Sequence, residues 1–188
     1  MVKTVALIGT LDTKGPEIAY LRDRCQELGL EAVVIDSGIL GDPLAIKPDF
    51  SREEVAVAAG SDIHTIRNAG SRGAAVHEMM QGVRKVLVDL YAQGRLQGAA
   101  CLGGAEGAVI GAYAMQALPV GIPKIIATPI ASGKRHFGPL IGLKDVIVVH
   151  SIVDILGLNP ISTTIFDNIA AALEGMAEHG HVINLDTD

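Results

Sequence analysis

Four short segments of this chain combine glycine with hydroxyl or charged side chains, the residue types that bind anions. The first, residues 9–15, reads GTLDTKG, and its Thr10, Thr13 and Lys14 can offer hydrogen bonds or positive charge to a phosphate. Backbone N–H groups exposed by glycine add further donors. The other three segments begin at Gly103, Thr128 and Ser151. The types and spacing of these residues therefore predict binding of a phosphate or another small anion.

Each segment follows a short apolar run of strand length, and helical patterns separate most of the runs. The runs span residues 4–8, 98–102, 124–127 and 146–149, and residues 31–35 form a further strand. This alternation predicts an α/β fold, a Rossmann-like open sheet of about five mostly parallel strands with helices on both faces. Ligands bind at the carboxyl edge of such a sheet, so the four segments should share one crevice.

The helices have recognisable starts and ends. Pro16 is expected to begin the first helix and Gly29 to end it. Ser51 and Glu54 have the spacing of a capping box, and Asn159 should cap the last helix. Amphipathic helices are predicted at 73–93 and 106–118, whereas 60–72 is a polar stretch without a predicted element. Residues 1–180 should form one domain, followed by a tail at 181–188 without a partner element.

Several residues in these segments are candidate nucleotide ligands, and each also has a purely structural interpretation. Asp12 could hold a metal through water or only fix its loop. Asp36 ends the second strand, where dinucleotide folds place an acidic residue on the ribose, but it could equally belong to a turn. The other candidates are Gly9, Gly103, Gly104, Gly107, Thr128, Ser132, Gly133 and Asp154.

Glu106 needs an explanation of its own within the glycine-rich segment GGAEG. A carboxylate beside a phosphate repels it unless a Mg²⁺ ion or an arginine lies between them. Glu106 could also be a first-turn residue favoured by the helix dipole. The basic residues Lys134, Arg135 and His136 could bind phosphate or carboxylate, or form a solvated loop or an oligomer contact.

Composition excludes several classes of protein. The formal net charge of −6 argues against nucleic acid as a partner, and no apolar run of about 18 residues predicts a membrane span. Cys25 and Cys101 fit small core residues better than a disulfide or metal pair. The six histidines form no persuasive metal set. A cytoplasmic location is expected.

The motifs occur in an order that resembles a known family. They are GTLDTKG with Glu17, RG-x-AV-x-x-M from Arg72, LGG from Leu102, Pro123-Lys124, ASG from Ala131, and S-x-VDI-x-GLN from Ser151. Together they resemble the tomato mosaic resistance (Tm-one-like) ATP-binding domain family, an uncharacterised protein family, over most of the chain. The resemblance implies a Rossmann-like domain that binds ATP with Mg²⁺ and forms dimers. It also implies a second domain of similar size, and the plant member looks like an inhibitor of a viral replication protein.

Two departures from the family pattern bear on the ligand. The family's Gly-Gly-Ser-Gly-Gly-Thr loop is here Gly-Gly-Ala-Glu-Gly-Ala from Gly103, and Lys134-Arg135 follow the ASG motif. ATP and another phosphorylated or anionic ligand therefore both stay open.

Two functions and one assembly state are expected from these patterns. The first function is a regulatory nucleotide-binding module, or one half of a two-domain protein. The alternative is an enzyme acting on a sugar acid or phosphorylated substrate, with Glu106, Lys134 and His136 as acid–base or carboxylate-binding groups. A homodimer at least is expected, because the small-residue face at 111–117 exceeds what one sheet needs.

Overall fold

A computed structural model describes residues 2–132 and 138–183 of the chain, which form five strands and seven helices. The strands are β1 Thr4–Gly9, β2 Glu31–Asp36, β3 Gly98–Leu102, β4 Lys124–Thr128 and β5 Ile147–His150. The helices are α1 Leu11–Glu27, α2 Arg52–Ala58, α3 Ile63–Arg67, α4 Arg72–Ala92, α5 Ala105–Met115, α6 Gly138–Ile141 and α7 Pro160–His179.

The strands form one parallel sheet in the order β2-β1-β3-β4-β5. Gly9, at the end of β1, lies opposite both Asp36 of β2 and Leu102 of β3. This register sets the exits of the three strands at one level along the sheet edge. The predicted fold class, an α/β Rossmann-like open sheet with helices on both faces, is confirmed.

Two apolar cores flank the sheet, one on each face. Alternate residues of β1 point to opposite sides, since Val5 and Leu7 pack in one core and Ala6 and Ile8 in the other. Helices α1 and α7 cover the first face, and α2, α4 and α5 cover the second. The aliphatic, nearly aromatic-free composition follows from strands that are buried on both faces.

Helix α1 begins earlier than the sequence predicts, at Leu11 rather than Pro16. Thr10 is the N-cap and Leu11 is fully buried, so packing of the first turn against the sheet outweighs the cost of a proline inside the helix. Most of the GTLDTKG segment is therefore helix, and Gly29, with φ of 87°, follows its C-cap as predicted.

Two further differences concern the rest of the chain. The polar stretch at 60–72 contains helix α3, which is capped by Asp62 through two backbone N–H groups. The tail does contact a neighbouring segment, because the Ile183 N–H donates to the Val120 carbonyl at 3.2 Å. The remaining tail residues, 184–188, lie outside the described residues.

The small-residue face of α5 is buried within the chain, contrary to expectation. A Cβ atom added at Gly111 would lie 2.3 Å from the Cys101 sulfur, and Ala112 and Ala114 are fully buried. These small residues let α5 approach the sheet closely, so this face supplies no surface for a second copy. Cys25 and Cys101 are buried and unbonded as predicted, and burial raises the pKa of each thiol to about 12.

Candidate functional site

A cleft of about 1010 Å³ lies at the carboxyl edge of the sheet, where the strand order reverses. Strand β1 has β2 on one side and β3 on the other. The connection that leaves β1, helix α1, covers one face of the sheet, and the connection that leaves β3, helix α5, covers the other. Open α/β sheets bind ligands at such a switch point. The predicted site residues that line the cleft are Thr10, Asp12, Thr13, Lys14, Gly104, Glu106 and Gly107. The exits of β1 and β3 are therefore brought together as the sequence predicts.

Two helix N-termini border the cleft, and neither is capped by its own N-cap side chain. Helix α1 starts after Thr10 and helix α5 starts after Gly104, and neither N-cap side chain accepts a hydrogen bond from its helix. The first amides of a helix lack partners within the helix and carry its positive dipole end. In α1 the Leu11 N–H donates to Asp36 and the Thr13 N–H to the Thr10 carbonyl. An anion in the cleft would pair with first-turn amides that lack such partners and with the positive ends of both helix dipoles. The Thr10 and Thr13 hydroxyl oxygens, 3.0 Å apart, bond each other beside α1, and the Thr13 hydroxyl also donates to the Thr10 carbonyl at 3.2 Å. These hydroxyls can turn to a ligand that replaces those bonds.

The cleft is locally more positive than the chain as a whole. Its lining holds three cationic side chains, Lys14, Arg67 and Arg72, against the two carboxylates Asp12 and Glu106. The chain carries a net charge of −6. A cluster of cations on an acidic protein indicates attraction for an anionic ligand at this place.

Arg72 is the arginine that pairs with the Glu106 carboxylate in the cleft. Its Nε donates to a Glu106 carboxylate oxygen at 2.8 Å, which joins the first turn of α4 to the first turn of α5. A cation at a helix N-terminus is disfavoured by the helix dipole, so Arg72 is not placed there to stabilise α4. Its side chain is 81% exposed and can leave Glu106 for a ligand.

Apolar side chains form part of the cleft wall. Ile39 and Leu40 come from the segment after β2, Val76 from α4 and Ile110 from α5. Leu40 is 76% exposed, although most large apolar side chains of this chain are buried. An apolar wall beside a cationic end suits a ligand that joins a flat apolar group to an anionic group.

Hydrogen bonds fix the segment that follows β2. Arg67 Nε donates to the Ile39 carbonyl at 2.6 Å, and its Nη2 donates to the Leu40 carbonyl at 2.9 Å. Asp12 Oδ2 accepts from the Gly41 N–H at 3.1 Å. Asp12 thus fixes the segment after β2 rather than its own loop, and the apolar wall is held in place by residues from α1 and α3. The role of Asp12 at a metal stays a prediction.

Asp36 ends β2 as predicted, but its carboxylate faces the protein. Only 1% of the residue is exposed, and Oδ1 accepts from the Leu11 N–H at 3.1 Å and from the Gly38 N–H at 2.8 Å. Burial raises the pKa of this carboxyl, although these N–H groups and Arg52 act in the opposite direction. Asp36 therefore ties β2 to the start of α1 and does not line the cleft, and its role on a ribose stays a prediction.

The remaining predicted residues are not brought into this cleft. Gly9 packs against Ile18, and a Cβ atom on Gly103 would lie 2.6 Å from the Ala108 nitrogen, so both glycines permit close backbone packing. Thr128 is fully buried, and Ser132 and Asp154 are exposed outside the lining. Gly133, Lys134, Arg135 and His136 lie outside the described residues. From the β5 exit, Leu156 reaches the cleft.

Sequence reasoning missed several lining residues on the segment between β2 and α4. They are Ser37, Ile39, Leu40, Arg67, Asn68, Gly70 and Ser71. Arg67 and Arg72 stand out in the sequence as cations in a polar stretch, and that was the available signal. The chain crosses from β2 past β1 to β3, and this crossover places the segment over the exits of β1 and β3. A local sequence pattern does not encode such a crossover.

The described residues contain no preformed metal centre, since no three His, Cys, Asp or Glu side chains cluster closely enough to hold an ion. Within the same residues, no helix combines the length and apolar character that crossing a membrane requires.

Comparison with known proteins places the chain among relatives that are more than twice as long. It is 39% identical over 178 residues to a UPF0261 protein of Clostridium tetani, a match covering 95% of this chain and 43% of that protein. It is 31% identical to the UPF0261 protein RA0729 of Rhizobium meliloti, covering 94% of this chain and 42% of that one.

A plant protein also matches. The chain is 29% identical over 187 residues to the ToMV susceptible protein tm-1(GCR26) of Solanum lycopersicum, covering 92% of this chain and 24% of the tomato protein. The N-terminal domain of an uncharacterised protein family, UPF0261, matches residues 3–181, which is nearly the whole chain. This match establishes that the chain belongs to the UPF0261 family and corresponds to its N-terminal domain.

Proposed function

We propose that this domain binds a nucleotide, ATP with Mg²⁺ by resemblance, in the cleft at the β1/β3 switch point. The observation that carries the proposal is the convergence of two helix N-termini, α1 and α5, on one cleft. The α5 end has no side-chain cap, and at the α1 end the Leu11 N–H donates to Asp36. The two helices are 17 and 11 residues long. Two helix N-termini that face one cleft suit a chain of phosphates better than a single carboxylate.

The cleft supplies contacts for both parts of a nucleotide. Lys14, Thr10 and Thr13 offer a cation and hydroxyl donors to phosphate oxygens, and Gly104 leaves the α5 amides accessible. The wall of Ile39, Leu40, Val76 and Ile110 offers an apolar surface to a base. The cleft volume of about 1010 Å³ is sufficient for a ligand of this size.

Mg²⁺ fits this site as a partner of the phosphates rather than as a resident ion. Of the two lining carboxylates, Asp12 accepts from the Gly41 N–H and Glu106 is paired with Arg72. Mg²⁺ is commonly held by one or two carboxylates, waters and substrate phosphates. Asp12 would hold it in that manner while Glu106 stays paired with Arg72, and the ion would neutralise phosphate charge.

Titration calorimetry with Mg²⁺–ATP tests the proposal directly. Wild-type protein is expected to bind, and Lys14→Ala to bind about tenfold more weakly because a charge-assisted contact is lost. Lys3→Ala is the matched control, since Lys3 precedes β1 at the opposite edge of the sheet. Absence of binding at millimolar ATP in folded protein would refute the proposal.

The enzyme alternative depends on groups that the structure places only in part. Glu106 lies in the cleft, whereas Lys134 and His136 are outside the described residues. Turnover of a sugar acid or of a phosphorylated substrate by wild type, lost in Glu106→Gln and His136→Ala, would favour this alternative over a binding module.

Assembly and location complete the proposal. Ile152, Leu156 and Leu158 are 66%, 71% and 46% exposed after β5, and Ile152 is held at φ of 64°, which is strained for a β-branched residue. This apolar surface supports a homodimer, or contact with the second domain that the longer relatives have room for. A dimeric mass by light scattering would support the homodimer and a monomeric mass would count against it.

We further propose a cytoplasmic location, testable by cell fractionation.

A further inference from the structure

We infer that Ser37 is a phosphate-positioning residue, whose hydroxyl donates to a ligand phosphate oxygen beside the N-terminus of α1. The inference rests on the proposed function and adds a residue and a ligand orientation to it. It places the phosphate end of the ligand at the junction of β1, β2 and α1. The rest of the nucleotide would then lie against the apolar wall.

The first observation is an unsatisfied hydroxyl in the cleft. Ser37 lines the cleft, is only 1% exposed, and its Oγ has no hydrogen-bond partner among residues 2–132 and 138–183. A buried polar atom without a partner destabilises a protein, so such atoms are rare. A hydroxyl group placed in this way is explained by a ligand atom that completes its hydrogen bonding.

The second observation is the position of Ser37 relative to α1. Its backbone N–H donates to the Gly9 carbonyl at 2.9 Å, which places Ser37 beside the residue that precedes Thr10. Helix α1 begins there without a cap from the side chain of Thr10. The hydroxyl therefore lies beside the positive end of α1, where the Leu11 N–H already donates to Asp36 Oδ1 at 3.1 Å.

The charges around Ser37 favour a phosphate over a ribose. In dinucleotide folds a carboxylate at the end of the second strand accepts from the ribose hydroxyls. Here that carboxylate, Asp36, already accepts from the Leu11 and Gly38 N–H groups. Ser37, Lys14 and Arg67 line the cleft together with Asp12, so a ligand oxygen there meets a donor, two cations and one carboxylate, which Mg²⁺ would offset.

The test compares two serines that are equally buried. Ser37→Ala removes the unpartnered hydroxyl. Ser162→Ala removes a hydroxyl that is also in a residue 1% exposed but accepts from the Asn159 N–H at 2.9 Å and donates to the Asn159 carbonyl at 3.1 Å. Each variant is titrated with Mg²⁺–ATP and with inorganic tripolyphosphate, and its unfolding midpoint is measured without ligand.

Ser37→Ala is expected to weaken both ATP and tripolyphosphate binding by about tenfold, without lowering the ligand-free midpoint. Ser162→Ala is expected to lower the midpoint by about 2–4 °C and to leave both affinities unchanged. A loss of affinity without a loss of stability indicates a hydroxyl that binds the ligand. A loss of stability without a loss of affinity indicates a hydroxyl that stabilises the fold.

The other outcomes overturn the inference. A Ser37→Ala protein that loses ATP affinity alone places the hydroxyl on the sugar or base, and unchanged affinity for both ligands removes it from the site. A lowered midpoint like that of Ser162→Ala assigns it a structural partner. Tripolyphosphate binding without ATP binding refutes the nucleotide proposal alone, whereas a wild type that binds neither refutes both.

Discussion

Arg72 and Glu106 join two helix N-termini across the mouth of the cleft, with Arg72 Nε 2.8 Å from the Glu106 carboxylate. The two residues lie in the first turns of α4 and α5, 34 positions apart in the chain. An ion pair this exposed contributes little to the free energy of unfolding. Its disruption should therefore change the charge of the cleft without unfolding the protein.

Glu106→Gln is expected to tighten Mg²⁺–ATP binding by about three- to tenfold, because it removes a negative charge and releases Arg72 for the phosphates. The effect should shrink as salt is added, since these charges are exposed. Calorimetry at two ionic strengths measures both effects. Asp89→Asn is the control, because it breaks the Lys85–Asp89 pair on α4 outside the cleft. Weaker binding in Mg²⁺ would instead assign Glu106 to the metal.

Adjacent glycines at the exit of β3 should separate folding from binding. A Cβ atom at Gly103 would lie 2.6 Å from backbone atoms of Gly107 and Ala108, so Gly103→Ala is expected to cost about 2–3 kcal/mol of stability. At Gly104 a Cβ atom meets nothing within 4 Å, and Gly104→Ala should cost about 1 kcal/mol or less. It should nevertheless weaken nucleotide binding, because the methyl group enters the cleft. Urea unfolding and calorimetry on both variants check this, and equal stabilities would contradict it.

Lys124 is expected to be a stability determinant remote from the cleft. Its ammonium group is fully buried and donates to the Pro119 and Ile122 carbonyls and, at 2.8 Å, to Asp145. Lys124→Met should cost about 2–4 kcal/mol, because three acceptors lose their donor. Urea unfolding measures the loss, and ATP affinity should not change. Lys85→Met is the exposed control, expected to lie within about 0.5 kcal/mol of wild type.

The stability contributed by Asp36 should fall as the pH rises. Burial raises its pKa in the folded state above the unfolded value of about 3.9, so the folded protein retains the proton to higher pH. Its contribution is therefore present below about pH 3.9 and is lost as the pH rises through the folded-state pKa. Asp36→Asn keeps an oxygen acceptor for the Leu11 and Gly38 N–H groups and cannot ionise.

Urea unfolding of wild type and Asp36→Asn between pH 3.5 and 7 tests this sign. Wild type should lose stability relative to the variant across the interval. A wild-type advantage that grows with pH would mean that the two N–H groups and Arg52 outweigh burial.

The sequence by itself determined the fold class and most elements. Apolar runs of strand length, a capping box at Ser51 and Glu54, and the Asn159 cap are local signals, and each was confirmed. They are readable because hydrophobic period and capping depend on residues close together in the chain. The start of α1 was not readable in this way, because burial of Leu11 against the sheet outweighs the proline.

Only the tertiary structure decided which candidate residues meet. The exits of β1 and β3 share a cleft because the chain crosses from β2 past β1 to β3, and the same crossover brings Arg67, Arg72 and Ser37 to it. Asp36 has the spacing of a ribose ligand, yet its carboxylate turns to the Leu11 N–H. Strand order and side-chain direction depend on contacts between distant residues, and a pattern of near neighbours does not encode them.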